Sequence, residues 1–268
     1  MITKSLGSTE EVFRFAAAFA PTLGNEVANV FRGHSDKQFK LEPTLVRLLR
    51  QRVRTEEDAV TIESQLLHEY RQRSKHLRPP ESGGTWAADS FEIYHLQSMQ
   101  HFGAPTRLLD WTKSFYVALY FAVSDHPDTD GSIHVASAGR IASKSSLEQW
   151  PQIKKWPQNP KDFLQYRDSD PFPMLYKPNF DFDRGIVQQG LFIMPSRLLC
   201  DHNTMYETAL SHDSAPLTKV IIPKALKPTL LAQLAAMNVT PATLFPGLDG
   251  VARSVHDLAM ITTSKPAG

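Results

Sequence analysis

Apolar residues recur along the chain at two periods, and the switches between them mark out the elements. Val60, Leu66, Leu67 and Tyr70 recur at helical spacing behind Thr55-Glu56-Glu57-Asp58, which predicts a long helix ending near Leu77. Ser8-Thr9-Glu10-Glu11 reads as a capping box: Ser8 caps the first turn, Glu11 reaches back, and the helix stops before Pro21. Further helices are expected from Leu45 to Arg50, from about Trp86 to His101 with Gly103 as C-cap, and from Lys113 to about Val123. Two more, Pro223 to Met237 and Gly247 to Ile261, close the chain. Asn29-Val30-Phe31 reads as a short strand ended by a glycine turn through Arg32-Gly33-His34. Thr106 to Leu109 reads as a buried strand, followed by Asp110-Trp111-Thr112. Gly131 to Val135, Gly190 to Met194 and Leu217 to Ile222 are the other strand-like runs. Pro151 to Pro178 carries six prolines without periodicity and reads as an irregular insertion, a candidate flap. Helices and strands alternate without regular βαβ spacing, so the class is α+β.

Composition narrows the picture. The chain has 268 residues, 41% hydrophobic and 21% charged, which excludes a disordered chain and leaves one large domain or two small ones. A single cysteine, Cys200, excludes an internal disulfide and fits a reducing cytosol. The apolar stretch Phe15–Pro21 is too short to cross a bilayer and follows acidic residues where a signal peptide needs basic ones, so a cytoplasmic protein is expected. The net charge of +1 excludes a protein that works by bulk charge. Arg32 to Arg78 nevertheless holds 11 basic and 7 acidic residues, a local +4. The arginines from Arg47 to Arg78 form either a face for nucleic acid or phosphate, or a solvated helix surface balanced by Glu56, Glu57, Asp58, Glu63 and Glu69.

Three places break the pattern of a plain core. At Phe31-Arg32-Gly33-His34 a guanidinium fork lies beside exposed backbone, suited to phosphate or carboxylate, or else to a structural ion pair with Asp110. Gln100 to Thr112 puts His101, Thr106, Arg107, Asp110 and Thr112 in one strand-turn-helix corner. Singly, each has a structural role: a helix cap for Asp110 or Thr112, a pair for Arg107, a dipole-stabilised cation for His101. The third is Arg184-Gly185-Ile186-Val187-Gln188-Gln189-Gly190-Leu191-Phe192, whose paired glutamines are either ligand-reading amides or a solvated loop end. Catalytic templates fail: there is no HExxH, CxxC or GxSxG, so no metal site is expected and Cys200 reads as a small apolar filler.

These residues resemble the FRG-domain family, bacterial and phage proteins named for a Phe-Arg-Gly motif. Phe31-Arg32-Gly33-His34-Ser35, Leu41–Arg47 and above all Gln100-His101-Phe102-Gly103-Ala104-Pro105-Thr106-Arg107-Leu108-Leu109-Asp110-Trp111-Thr112 carry the resemblance; Gln189–Phe192 and Leu244–Gly250 resemble later blocks. The resemblance spans about Val27 to Leu258. It implies one FRG-like unit from residue 25 to 268, with an N-terminal helix in 1–24 packed on it and an irregular insertion at about 140–183. A defence or toxin context is also implied.

The motif order is also similar, more faintly, to the ADP-ribosyltransferase superfamily. That similarity implies a central mixed or antiparallel split sheet flanked by helices, with NAD as co-substrate. It implies that Arg32 and Gly33 bind NAD, that His101 and Thr106 orient its ribose, and that Arg107, Tyr116 and Tyr120 complete the cofactor site. Where such transferases carry a catalytic glutamate this chain has Gln188 and Gln189; Asp110 or Gln189 is left beside the reacting carbon, with Glu207 further downstream. Two other readings stand beside this one: a non-catalytic nucleic-acid or protein binding module working through Arg47–Arg78, and a hydrolase or nuclease using His101 and Asp110.

Overall fold

The computed structural model describes residues 1–19, 29–77, 91–139, 141, 164, 171–176, 183–210 and 216–263. The strands are β1 Ile2–Ser5, β2 Asn29–His34, β3 Leu109–Thr112, β4 Gly131–Ser137, β5 Pro173–Tyr176, β6 Gly190–Pro195 and β7 Thr218–Ile222. The helices are α1 Thr9–Ala17, α2 Thr44–Leu49, α3 Glu56–Ser74, α4 Phe91–His101, α5 Phe115–Val123, α6 Asp183–Val187, α7 His202–Leu210, α8 Lys227–Ala236, α9 Pro241–Leu244 and α10 Leu248–Thr263. The strands form one mixed sheet in the order β1-β7-β4-β2-β3-β6-β5, with only β1 and β7 parallel. No helix among the described residues is long and apolar enough to cross a membrane.

Alternation along β2 sends Val30 to one core and Phe31 to the other, so the sheet is covered on both faces. On one face Leu96, Trp111, Ile193 and Tyr206 pack with residues of α3. On the other, α1, α5 and α8 pack on Phe31, Ile133 and Val220. The result is a single α+β fold with helices flanking the sheet.

Local chemistry sets several boundaries. Ser8 accepts from the Glu11 amide (3.2 Å), but the Glu11 carboxylate takes the Gly7 amide (2.7 Å) rather than that of Ser8. Thr55 caps α3 and Ser114 caps α5 in the same way. Gly103 follows α4 with φ +80°, a left-handed position that favours glycine.

Three expectations are corrected. Gly33 is not a turn residue, because β2 runs unbroken to His34; a Cβ there would stand 1.9 Å from the Ala118 carbonyl oxygen, so glycine is what lets α5 close on the strand. The strand expected at Thr106–Leu109 lies at Leu109–Thr112, since Thr106 to Leu108 are buried but unpaired with another strand. The insertion at about 140–183 contains an ordered strand, β5, hydrogen-bonded to β6; most of the rest of it, and the start expected near Trp86 for α4, lie outside the described residues. Finally, β1, α6, α7 and α9 were not expected.

Candidate functional site

The sheet splits between β2 and β3. β2 pairs with β4 over its full length, and β3 with β6, but β2 and β3 share one register pair, Phe31 opposite Thr112. Continuing that register would set Gly33 against Asp110, and no such pair forms. Instead, the Arg32 guanidinium Nη1 donates to the backbone carbonyl of Asp110.

A cavity of about 300 Å³ opens at this split. Arg32 and Gly33 from β2, Asp110, Trp111 and Thr112 from β3, and Gln97, Gln100 and His101 from α4 line it. Val117 and Phe121 from α5, Arg184, Gly185 and Gln188 from the α6 segment, and residues of β6 also line it. Its volume is at the lower end for small-molecule sites.

Arg32 is held at two points. Its Nε donates to His34 Nε2 at 3.0 Å, and its Nη1 lies 4.0 Å from Asp110 Oδ2 besides meeting the Asp110 carbonyl. Burial lowers its pKa and the Asp110 charge offsets this; a guanidinium remains charged throughout. Asp110 is 60% exposed and faces the cavity. A short relay fixes it: Thr106 Oγ1 donates to Gln100 Oε1 (2.6 Å), and Gln100 Nε2 donates to Asp110 Oδ2 (2.8 Å). His101 ends α4, and burial followed by the Arg184 charge lowers its pKa, which favours the neutral imidazole.

Arg32, Gly33, His101 and Asp110 therefore share one cavity. Thr106 is fully buried and stands behind Gln100 rather than on the wall. Of the other residues given a candidate role in the sequence, Thr112 and Gln188 line the wall, and Arg107, Tyr116, Tyr120, Gln189 and Glu207 do not reach it. Arg107 is sealed at 0% exposure in a bidentate pair with Glu63 of α3, so it serves the core and not a cofactor. Tyr116 and Tyr120 sit on the wrong faces of α5: Tyr116 is exposed beside Phe13, and Tyr120 is buried, its hydroxyl bonded to Asp257 and its pKa raised by burial. The cavity takes Val117 and Phe121, one residue on from each. Gln189 is exposed at φ +48° with its carbonyl accepting from Lys113; Gln188 takes the wall and donates to the Leu244 carbonyl at 2.9 Å. Glu207 is exposed on α7, away from the wall, 3.5 Å from the Met1 amino group.

Gln100 and Arg184 stand among the odd polar positions of the sequence, which gave neither of them a role. Gln100 stood inside the quoted motif, and its spacing of ten residues from Asp110 gave no periodic signal. Arg184 stood beside a glycine in a segment without a recognised element. The Cys200 thiol is pushed up to about 12, mainly by burial, so it is no nucleophile. The basic stretch is largely committed to local contacts: Arg47 donates to Thr44 and the Glu42 carbonyl, Arg50 pairs with Glu42, and Arg73 pairs with Glu69.

No curated protein and no solved structure matches the chain. The later blocks, Gln189–Phe192 and Leu244–Gly250, lie beyond the stretch that a family model covers. That model is the FRG domain, and it matches residues 27–131, the stretch that supplies Arg32, Gly33, Gln100, His101 and Asp110, so the chain carries an FRG domain there.

Proposed function

We propose that the cavity at the β2/β3 split takes NAD and that the protein transfers ADP-ribose to a nucleic acid or protein acceptor. The observation that carries this reading is the placement of Arg32 and Asp110 on the two strands that part, facing one cavity. Arg32 supplies a cation for the diphosphate. Asp110 supplies the only carboxylate on the described wall, and so takes the place where Gln188 stands in a glutamate's position.

In the proposed reaction the bond between the ribose C1′ and the nicotinamide nitrogen breaks, and its electron pair leaves with nicotinamide. The Asp110 carboxylate faces the cationic ribosyl centre, and such a preorganised charge lowers a barrier by about 2.7–4 kcal/mol. The acceptor's oxygen or nitrogen lone pair then forms the new bond to C1′. Neutral His101 takes the proton that the acceptor loses. Phe121, only partly buried, offers apolar surface for a base or nicotinamide ring.

The test is incubation of the protein with labelled NAD, reading nicotinamide release and transfer of label to nucleic-acid and protein fractions. Release by the wild type and its loss in Asp110→Asn support the reading. Absence of binding, release and transfer overturns it.

A further inference from the structure

The cavity holds a second cation outside the FRG-matched stretch. Arg184, on α6, lines the wall with its guanidinium 4.5 Å from the Phe245 ring centroid. Arg253 of α10 lies 4.6 Å from the same ring. Phe245 is 2% exposed and meets Phe121 edge-on at 6.0 Å, so the ring that carries Arg184 is itself fixed in the core. Stacking of this kind orients a guanidinium while leaving its N–H donors open. Among the described residues no acceptor or carboxylate binds Arg184 directly. Burial lowers its pKa and the nearby Asp110 charge opposes this, so Arg184 and Arg32 both sense the same carboxylate. Arg32 spends Nε on His34 and Nη1 on Asp110; its Nη2 has no acceptor among the described residues.

We infer that Arg32 and Arg184 form a two-arginine clamp for a phosphoanhydride, which makes the ligand class a nucleoside diphosphate carrying a cationic or uncharged group toward Asp110. Two forks with open donors exceed what one phosphate needs. Asp110, in the same cavity, repels an anion placed beside it and favours a cationic centre. A ligand that is dianionic at one part and cationic or neutral at another satisfies both demands. This inference rests on the proposed reading of the same cavity and names what the cavity recognises.

The test is calorimetric titration of the full chain with ADP, ADP-ribose, AMP and NAD. The expected result is that the wild type binds ADP and ADP-ribose more tightly than AMP. Arg184→Gln should erase that preference and weaken ADP at least about tenfold, the loss expected for charge-assisted hydrogen bonds. It should do so with a melting temperature within about 2 °C of wild type. Arg184→Lys, which keeps the charge and loses the fork, should also weaken ADP, and it serves should the glutamine variant fail to fold. Unchanged ADP affinity in these variants, with loss in Arg32→Gln, overturns the clamp and leaves the NAD reading standing. No binding of any of the four ligands by the wild type overturns both.

Discussion

Arg32 donates through Nε to His34 Nε2 at 3.0 Å, so the guanidinium of the candidate site leans on a neutral histidine two residues further along the same strand. His34 is buried, its ring 5.1 Å from that of buried His134. Burial first, then the charges of Arg32 and the neighbouring Lys219, hold both imidazoles below their ordinary pKa, His134 at about 3. The sign follows from linkage. In the unfolded chain both histidines protonate near pH 6.5, while in the fold they stay neutral, so the unfolded state binds more protons below that pH. Stability should therefore fall as pH drops from about 6.5 toward 3, by up to about 1.4 kcal/mol per pH unit for each histidine. Urea unfolding at steps from about pH 7.5 to 4.5 measures this. His134→Phe should flatten the acid limb relative to wild type, and equal limbs would show that His134 ionises normally.

The Arg107–Glu63 pair carries a different expectation, because it lies inside the stretch matched by the FRG model yet is sealed from the cavity. Arg107→Ala strands a buried carboxylate and should cost about 3–5 kcal/mol. Replacing both partners, Arg107→Met with Glu63→Leu, should restore most of that loss, since two well-packed apolar side chains replace two desolvated charges. Denaturant midpoints check both. NAD binding by the folded double variant should match wild type, which a cofactor role for Arg107 would forbid.

The relay from Thr106 through Gln100 to Asp110 predicts an effect on rate. Gln100→Leu removes the donor that fixes Asp110 Oδ2, and a hydrogen bond to a charged group is worth roughly 1.5–3 kcal/mol. The expected outcome is a loss of about 10–100-fold in kcat for nicotinamide release with a smaller change in KM. Thr106→Val, which removes only the group behind Gln100, should lose less. A change confined to KM would place Gln100 on the substrate and not behind the carboxylate.

How much of this was legible depends on whether the partner of a residue lay near it in sequence. Ser8, Thr55 and Gly103 act within a turn or two of themselves, and their roles stood in the sequence. Arg107 could not be read, because Glu63, which neutralises it, lies 44 residues away. α5 defeated the choice of aromatic for another reason. Seven of its nine residues are buried, so no polar face shows which side meets the cavity, and the sequence points to Tyr116 and Tyr120 rather than to Val117 and Phe121. β1 is four exposed residues on a sheet edge, a strand without an apolar stripe. Gly33 read as a turn because glycine punctuates chains, yet its task is the close approach of Ala118, set by a helix more than eighty residues on.

Lys227, the first residue of α8, is 0% exposed and spends all three ammonium hydrogens on backbone carbonyls: Ser35 at 2.7 Å, Asp125 at 2.8 Å and His126 at 2.9 Å. It thereby ties the residue after β2 to the turn after α5, where His126 adopts φ +50°. Burial, offset by Asp36 and other acidic neighbours, lowers its pKa from 10.5 to about 8. Lys227→Met leaves three carbonyls without their donor, which should destabilise by about 3 kcal/mol or more. The pH dependence separates this from a loss of packing. Between about pH 8 and 10.5 the unfolded chain keeps the lysine proton that the fold has released, so this group's contribution to stability rises with pH across that window. The stability gap between wild type and Lys227→Met, measured by urea unfolding, should therefore widen from about pH 8 to about pH 10. A gap that stays flat would mean that the Lys227 ammonium titrates as it does in water.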